Sequence, residues 1–447
     1  MKFSIAAISA LTFSVCVARA QTANVTSSPI DLLTVLRLAG ARNLDVQIAR
    51  ESLNEAQANH QAAMEQFIPS LTPGITYHQR DGMAQAVPAG TVSDTHFQSY
   101  APGATVAAQV TLGDSIYQAL AAKQLVKASD QSLQAQREDA ALSAAQAYFD
   151  LVKNKALADV IKEAAGISRD YQQELHQAVG AGIAFRGDEL RVQTQTESYE
   201  ILLRQTLEQQ RVAAVHLAQV LHLDATVDLA PHDEDLVPLL LFPTNADLDS
   251  LVQQALNARP ELKAGQALIT AARDAKNGAV YGPLIPSVGA QVFAGGLGGG
   301  HQDGPDNFGH SEDYLLGLSW RIGPGGLFDS GRVKAGQARL AATQLGQTKL
   351  KDAVISQVVS AATRMQSLSD QIALAQRNLA TANETFRLTR QRKQYGVGIV
   401  LEDIQAQQAL TQAHSDYVTA VAEHNKAQYG LNKAVGGPPD ADVPHPK

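Results

Sequence analysis

Two hydrophobic periods alternate along this chain. From Val354 to Phe386 apolar residues recur at spacings of four and three: Val354, Val358, Ala361, Met365, Leu368, Ile372, Ala375, Leu379, Ala382 and Phe386. This 3.5-residue rhythm predicts a long helix with a coiled-coil seam. Leu142, Ala145, Phe149, Val152 and Ala156 keep the same rhythm, and Val160 and Ala164 then follow at consecutive fours, a stutter that locally unwinds a supercoil. Elsewhere the period falls to two. In "DYLLGLSWRIG", Tyr314, Leu316, Leu318, Trp320 and Ile322 share one face, and Leu315, Gly317, Ser319 and Arg321 share the other. Val288, Ala290, Val292 and Ala294 oppose Ser287, Gly289 and Gln291; Leu71, Ile75 and Tyr77 oppose Thr72, Thr76 and His78; Val106, Ala108, Val110 and Leu112 oppose Thr105, Ala107, Gln109 and Thr111. Four strands are therefore expected, each with one apolar and one more polar face.

The order of these patterns repeats. "IPS" occurs at Ile68–Ser70 and again at Ile285–Ser287, 217 positions later, and "ARNLDVQIA" from Ala41 answers "ARPELKAGQ" from Ala258 at the same offset. "GAGIA" (180–184) answers "GVGIV" (396–400), and "ELRVQTQ" (189–195) answers "DIQAQQA" (403–409). Each half reads as a helix (31–67; 248–281), two strands, a long helix (115–179; 329–395), a Gly-x-Gly turn and a second helix (188–222; 402–435). Pro69 and Pro286 end the first helices, because proline disfavours helix in the residue before it and lacks the amide donor. The expected organisation is a leader at 1–20, a first repeat at 21–223, a Pro- and acid-rich connector at 224–247, a second repeat at 248–435 and a disordered tail at 436–447.

Length decides what these pieces can build. At 1.5 Å per residue the long helices span roughly 100 Å and the shorter ones roughly 50 Å, so two short helices end to end match one long one. That describes the wall of a tall cylinder. Four strands cannot close a barrel alone, and open sheet edges are not tolerated in lipid. Three copies would supply twelve strands around a water-filled lumen.

Composition narrows the class. The chain has 447 residues, 36 basic and 44 acidic, and a formal net charge of -8, which argues against a nucleic-acid binder. Lys2, the apolar run from Ile5 to Val17 and the "ARA" ending at Ala20 form a secretory leader, and the only cysteine, Cys16, lies within it. No later stretch is apolar enough for a spanning helix. There is no HExxH, paired-cysteine site or P-loop lysine; "GGLGGG" (295–300) follows a strand but opens no helix, and His216, His222 and His232 lack ligand spacing. Neither an enzyme nor a cofactor or metal site is expected.

The "IPS" junctions, "AQAYFDLV" (145–152), "GLFDSGR" (326–332) and the helix–turn–helix tips at 180–190 and 396–407 together resemble the TolC-type outer-membrane efflux channel family. The resemblance covers nearly the whole mature chain. It implies a membrane α+β fold: a homotrimer with four strands per chain, whose outer-membrane β-barrel continues into a long α-helical coiled-coil barrel across the periplasm. It also implies a passive conduit for efflux or type I secretion, with a periplasmic membrane-fusion adaptor and an inner-membrane transporter as partners. A soluble periplasmic coiled-coil adaptor is the competing reading.

Candidate site residues follow. Asp188, Glu189, Glu402 and Asp403 open the second helices, where acids complement the helix dipole. Repeated around an axis, they would form a water-exposed acidic ring that favours cations at a periplasmic entrance. Arg186 and Tyr395 are candidates for hydrogen bonds across neighbouring tips that hold this mouth shut. Gly180, Gly182, Gly396 and Gly398 are expected to provide left-handed backbone at the adaptor-facing turns. Tyr314, Leu316, Leu318 and Trp320 are assigned to the lipid face of the barrel, with Trp320 and Phe328 as anchors at its periplasmic rim.

Overall fold

The computed structural model describes residues 28–85, 90–224, 226–232, 236–244, 246–300, 307–395 and 398–438. The expected leader, residues 439–447 of the expected tail, and Gly396 lie outside the described residues. In chain order the elements are β1 (Ser28–Ile30), α1 (Leu32–Arg42), α2 (Leu44–Glu65), β2 (Ser70–Gln85), β3 (Val92–Thr111), α3 (Leu112–Gly180) and α4 (Arg186–Val220). They continue with β4 (Leu229–Pro231), α5 (Leu248–Ala258), α6 (Pro260–Tyr281), β5 (Ser287–Gly300), β6 (Gly309–Ser319), α7 (Ser330–Gln394) and α8 (Val400–Ala434). The two series match in length as well as order. α1 and α5 have 11 residues each, α2 and α6 22, and α4 and α8 35, while α3 has 69 and α7 has 65.

Each of the two helices expected at 31–67 and 248–281 is in fact a pair. The chain breaks at Asn43 and Arg259, both with ψ near 130°. Asn43 then caps α2, its side chain accepting from the amides of Asp45 and Val46, and its Nδ2 donates to the carbonyl of Val220 at 3.1 Å. This last bond joins the start of α2 to the end of α4, so the two short helices run end to end along α3. At the second break Pro260 takes the first helical position, where its missing amide costs nothing. Asn43→Ala should lower stability by about 1 kcal/mol through the lost cap, more if the Val220 link adds to it, as read by thermal unfolding.

The α7 seam is where the heptads place it. Val354, Val358, Met365, Leu368 and Ala382 are buried, Ala361, Ile372, Ala375, Leu379 and Phe386 are half-buried, and most residues between them are exposed. α3 differs, because α1, α2, α4, α6 and α8 all pack on it. Its middle is buried on several sides by Ala140, Ala141, Ala144, Ala145, Ala147, Tyr148, Phe149, Leu151 and Val152. Alanine on adjoining faces lets helices approach closely from more than one direction.

Pro69 and Pro286 stand directly before β2 and β5, and a 3-10 turn (Gly282–Leu284) precedes the second. The four expected strands form one antiparallel sheet in the order β2-β3-β5-β6. β6 ends at Ser319, one residue before Trp320, and Ile322 instead bridges to Leu327. The sequence patterns missed a second sheet, the short parallel ladder that joins β1, at the start of the first repeat, to β4 inside the expected connector. The start of the expected tail is also ordered. Gly436 has φ 73°, and the amides of Gly436 and Gly437 return to Lys433 and Asn432, closing α8 with a left-handed cap.

Candidate functional site

The register of the sheet puts its apolar positions on one side. Leu71, Val106, Val292 and Tyr314 align across all four strands, while Ala108, Ala290 and Leu316, and then Val110, Val288 and Leu318, align across β3, β5 and β6. The opposite face carries Ser70, Ala107, Gln291 and Leu315 in one row and Thr111, Ser287 and Ser319 in another. Leu316 is 79% exposed and Leu318 63%, so no described residue covers the β6 side of this apolar face, whereas Val110 in the same row is buried. The apolar rows end at Glu312, which receives hydrogen bonds from the Tyr314 hydroxyl (2.8 Å) and His310 Nε2 (3.0 Å). At the other end the Trp320 indole donates to the carbonyl of Leu284 (3.3 Å).

α3 starts at the sheet and ends at the first helical turn, about 100 Å away at 1.5 Å per residue. There Gly182 has φ 77°, its amide bonds to Val179 and the Ile183 amide to Ala178, a Schellman closure that favours glycine. The other described turn glycines are not left-handed, contrary to expectation. Gly180 is the last residue of α3, and Gly398 is needed for space: a Cβ there would lie 2.9 Å from the Lys393 amide nitrogen.

The four tip acids separate into two equivalent pairs. Glu189 and Asp403, each the fourth residue of its helix, are 5% and 2% exposed. Asp188 and Glu402, each the third, are more open. A ring of four uniformly water-exposed acids is therefore not what the tips present, because the fourth helical position turns inward onto Tyr171, Leu175, Val192 and Ile404. Glu189 accepts from His176 Nδ1 (2.8 Å) and pairs with Arg186, and these bonds hold its carboxyl below the usual range. Arg186 is thus engaged inside its own tip, while Tyr395 is 82% exposed. Burial raises the pKa of Asp403, against the opposing pull of Lys393 and Arg390, and its Oδ1 lacks a hydrogen-bond partner. Asp188 pairs with Arg191 and Glu402 with Arg392, both at 3.2 Å.

Lys393 was not among the expected residues, yet it ties the two hairpins together. Its Nζ is 3.1 Å from Glu174 and 3.5 Å from the centroid of the buried Tyr171 ring, which burial makes a weaker acid. The sequence signal was only a basic residue in the last turn of a helix, a pattern the helix dipole explains by itself. Its partners lie about 220 positions away and could not be read from local spacing.

An amphipathic sheet with open edges, set on helices that carry charged tips far from it, defines a protein of the outer-membrane channel fold. Residues 251–437 match the family described as "Outer membrane efflux protein". The CmeC outer membrane channel of Campylobacter jejuni superimposes with a TM-score of 0.77 and 16% identity, over 91% of this chain and 85% of that one. The outer membrane protein VceC of Vibrio cholerae gives 0.74 and 16%, over 91% and 96%. The open-state MtrE outer membrane channel of Neisseria gonorrhoeae gives 0.71 and 17%, over 92% and 90%. At these identities the likeness establishes the fold. No curated protein matches the sequence. Among the described residues no helix is long and apolar enough to cross a membrane, and no group of His, Cys, Asp and Glu could hold a metal ion.

Proposed function

We propose that this protein is the outer-membrane channel of a tripartite efflux or type I secretion system, acting as a passive homotrimeric conduit. The observation that carries the reading is the four-stranded sheet: apolar on one face, unpaired at both β2 and β6, and joined directly to the longest helices. In lipid every backbone amide and carbonyl must be satisfied, so β6 of one copy would pair with β2 of the next, and three copies would close the barrel. The helix order α2-α3-α6-α7 below the sheet leaves matching edges for the same rotation. The two halves, 21–223 and 248–435, derive in this reading from one duplicated unit. A periplasmic membrane-fusion adaptor would meet the tips around Gly182 and Gly398, and an inner-membrane transporter would supply the energy. Cross-linking of outer membranes followed by planar-bilayer recording tests this: a conducting trimer is expected, and a detergent-independent monomer in the soluble periplasm would refute it.

The entrance would be selective through Asp188 and Glu402, the more open acids, with Glu189 and Asp403 setting the shape of each tip. Glu402→Ala combined with Asp188→Ala should lower cation preference in bilayer recordings at low salt. The difference should shrink as salt rises, because exposed charges are screened beyond about 10 Å at 0.1 M. Unchanged selectivity in an assembled trimer would reduce these acids to helix-dipole partners.

A further inference from the structure

The turn between β6 and α7 holds an aromatic side chain in a conformation that neither packing nor propensity accounts for. Phe328 has φ 70°, a region bulky residues rarely enter, and it is 88% exposed. The surrounding loop is rigidly specified. The Leu327 amide bonds to the Arg321 carbonyl (2.8 Å), that of Gly323 to Leu327 (2.9 Å), that of Ser330 to Phe328 (2.9 Å) and that of Gly325 to the Asp329 carboxylate (2.9 Å). A strained backbone held this firmly, with an apolar ring projecting into solvent, points to something outside the chain that the ring meets.

Phe328 lines a cleft of about 450 Å³ between the end of α6 and the start of α7, with Val280, Pro283, Leu327, Val333 and Lys334. The cleft continues the apolar face of the sheet, since Trp320, just past β6, donates its indole hydrogen to Leu284, the neighbour of Pro283. Its lining carries one cation, Lys334, and one acid, Asp329, whose carboxylate is tied to the amides of Gly325 and Arg332. Arg332 is taken up by Asp114 in a two-pronged ion pair (2.6 and 3.2 Å). Lys334 and Arg321 have no acidic partner among the described residues; the Arg321 main chain lies against Gly326 in the cleft wall, and its guanidinium lies beside Gly325 at the edge of the cleft. An aromatic at the level of an interfacial tryptophan, an apolar cleft and two unneutralised cations match an acyl chain beneath a phosphate.

We propose that this cleft binds one anionic phospholipid per chain, the acyl chain lying along Pro283 and Phe328 and the phosphate facing Lys334 and Arg321. The proposal rests on the reading of the sheet as membrane-spanning. It is tested by native mass spectrometry of the full chain purified in detergent and given phosphatidylglycerol or phosphatidylcholine with the same acyl chains. Wild type should retain phosphatidylglycerol in preference. Lys334→Glu should cut its retention about tenfold and erase the preference, Phe328→Ser should weaken both lipids, and Lys349→Glu, farther along α7, should change nothing. Equal retention by wild type and Lys334→Glu would overturn the site, and so would a Phe328→Ser chain that keeps its lipid but loses its oligomer, since the ring would then be a contact between copies. A wild-type protein that keeps phosphatidylglycerol but conducts no ions would overturn the channel reading and leave the lipid site standing.

Discussion

Leu316→Arg and Leu318→Arg chains are expected to be absent from the outer membrane as assembled oligomers, whereas Ser319→Arg assembles like wild type. The three positions lie within four residues on the same strand, so propensity and translation hardly differ between them. They differ in face. Leu316 and Leu318 sit in rows with Ala290 and Val288, while Ser319 pairs with Ser287 in the row that also holds Thr111. A lipid-facing arginine costs about 2–4 kcal/mol near the bilayer midplane and less toward the rim, and a lumen-facing one is hydrated. A closed trimer would carry the cost three times over. The measurement is heat-modifiable mobility and cross-linking in isolated outer membranes; equal assembly of all three variants would mean the faces are assigned the wrong way round or the sheet does not enter lipid.

The second large effect is a pH dependence far from the four-stranded sheet. Glu138 on α3 is half-buried, and its carboxyl is pushed up to about 7, first by burial and then by the like charges of Glu261 and Asp139. Lys433 from α8 and Arg259 from the start of α6 oppose the shift, but Arg259 is bound to Glu261 and Lys433 to Asp139. Glu138 is the third acid among two bases. A carboxyl raised in the folded state favours folding below its unfolded pKa near 4.3 and loses that contribution as pH rises toward 7. Glu138→Gln should therefore leave thermal stability unchanged near pH 4 and raise it at pH 8, by about 1–2 kcal/mol once solvent screening is allowed for. A variant that gains nothing at pH 8 would show that Glu138 ionises freely.

Much of the architecture was legible because it rests on local periods. The α7 seam and the alternation in Tyr314–Trp320 are repeated signals, and repetition averages out single exceptions. The short pieces were not legible. β1 and β4 are three residues each, pair across about 200 positions and carry too few residues for a period. The breaks at Asn43 and Arg259 interrupt patterns that are apolar on both sides, so periodicity runs straight through them. At the tips, the acids were visible as types but their fates were not. One residue of offset separates half-exposed Glu402 from buried Asp403, and only the packing of three helices decides which turns inward. Phe328 looked like one more interfacial aromatic until its backbone angle was known.

The connector around 236–244 has an attachment with an unusual property. Asn425 on α8 accepts from the Leu239 amide and donates to the Val237 carbonyl, while Gln428, one turn on, accepts from the Phe242 amide and donates to the Phe242 carbonyl. His424 adds a bond to the Leu239 carbonyl. The side-chain amides of a helix here do what a neighbouring strand would do, and they grip only main-chain atoms. Such a clasp is blind to side-chain identity. The hydrogen bonds by themselves bar only proline from positions 239 and 242, but Leu236, Leu239, Leu241 and Phe242 also pack against the buried clusters, so the apolar side chains of the strap are constrained along with the three residues that hold it.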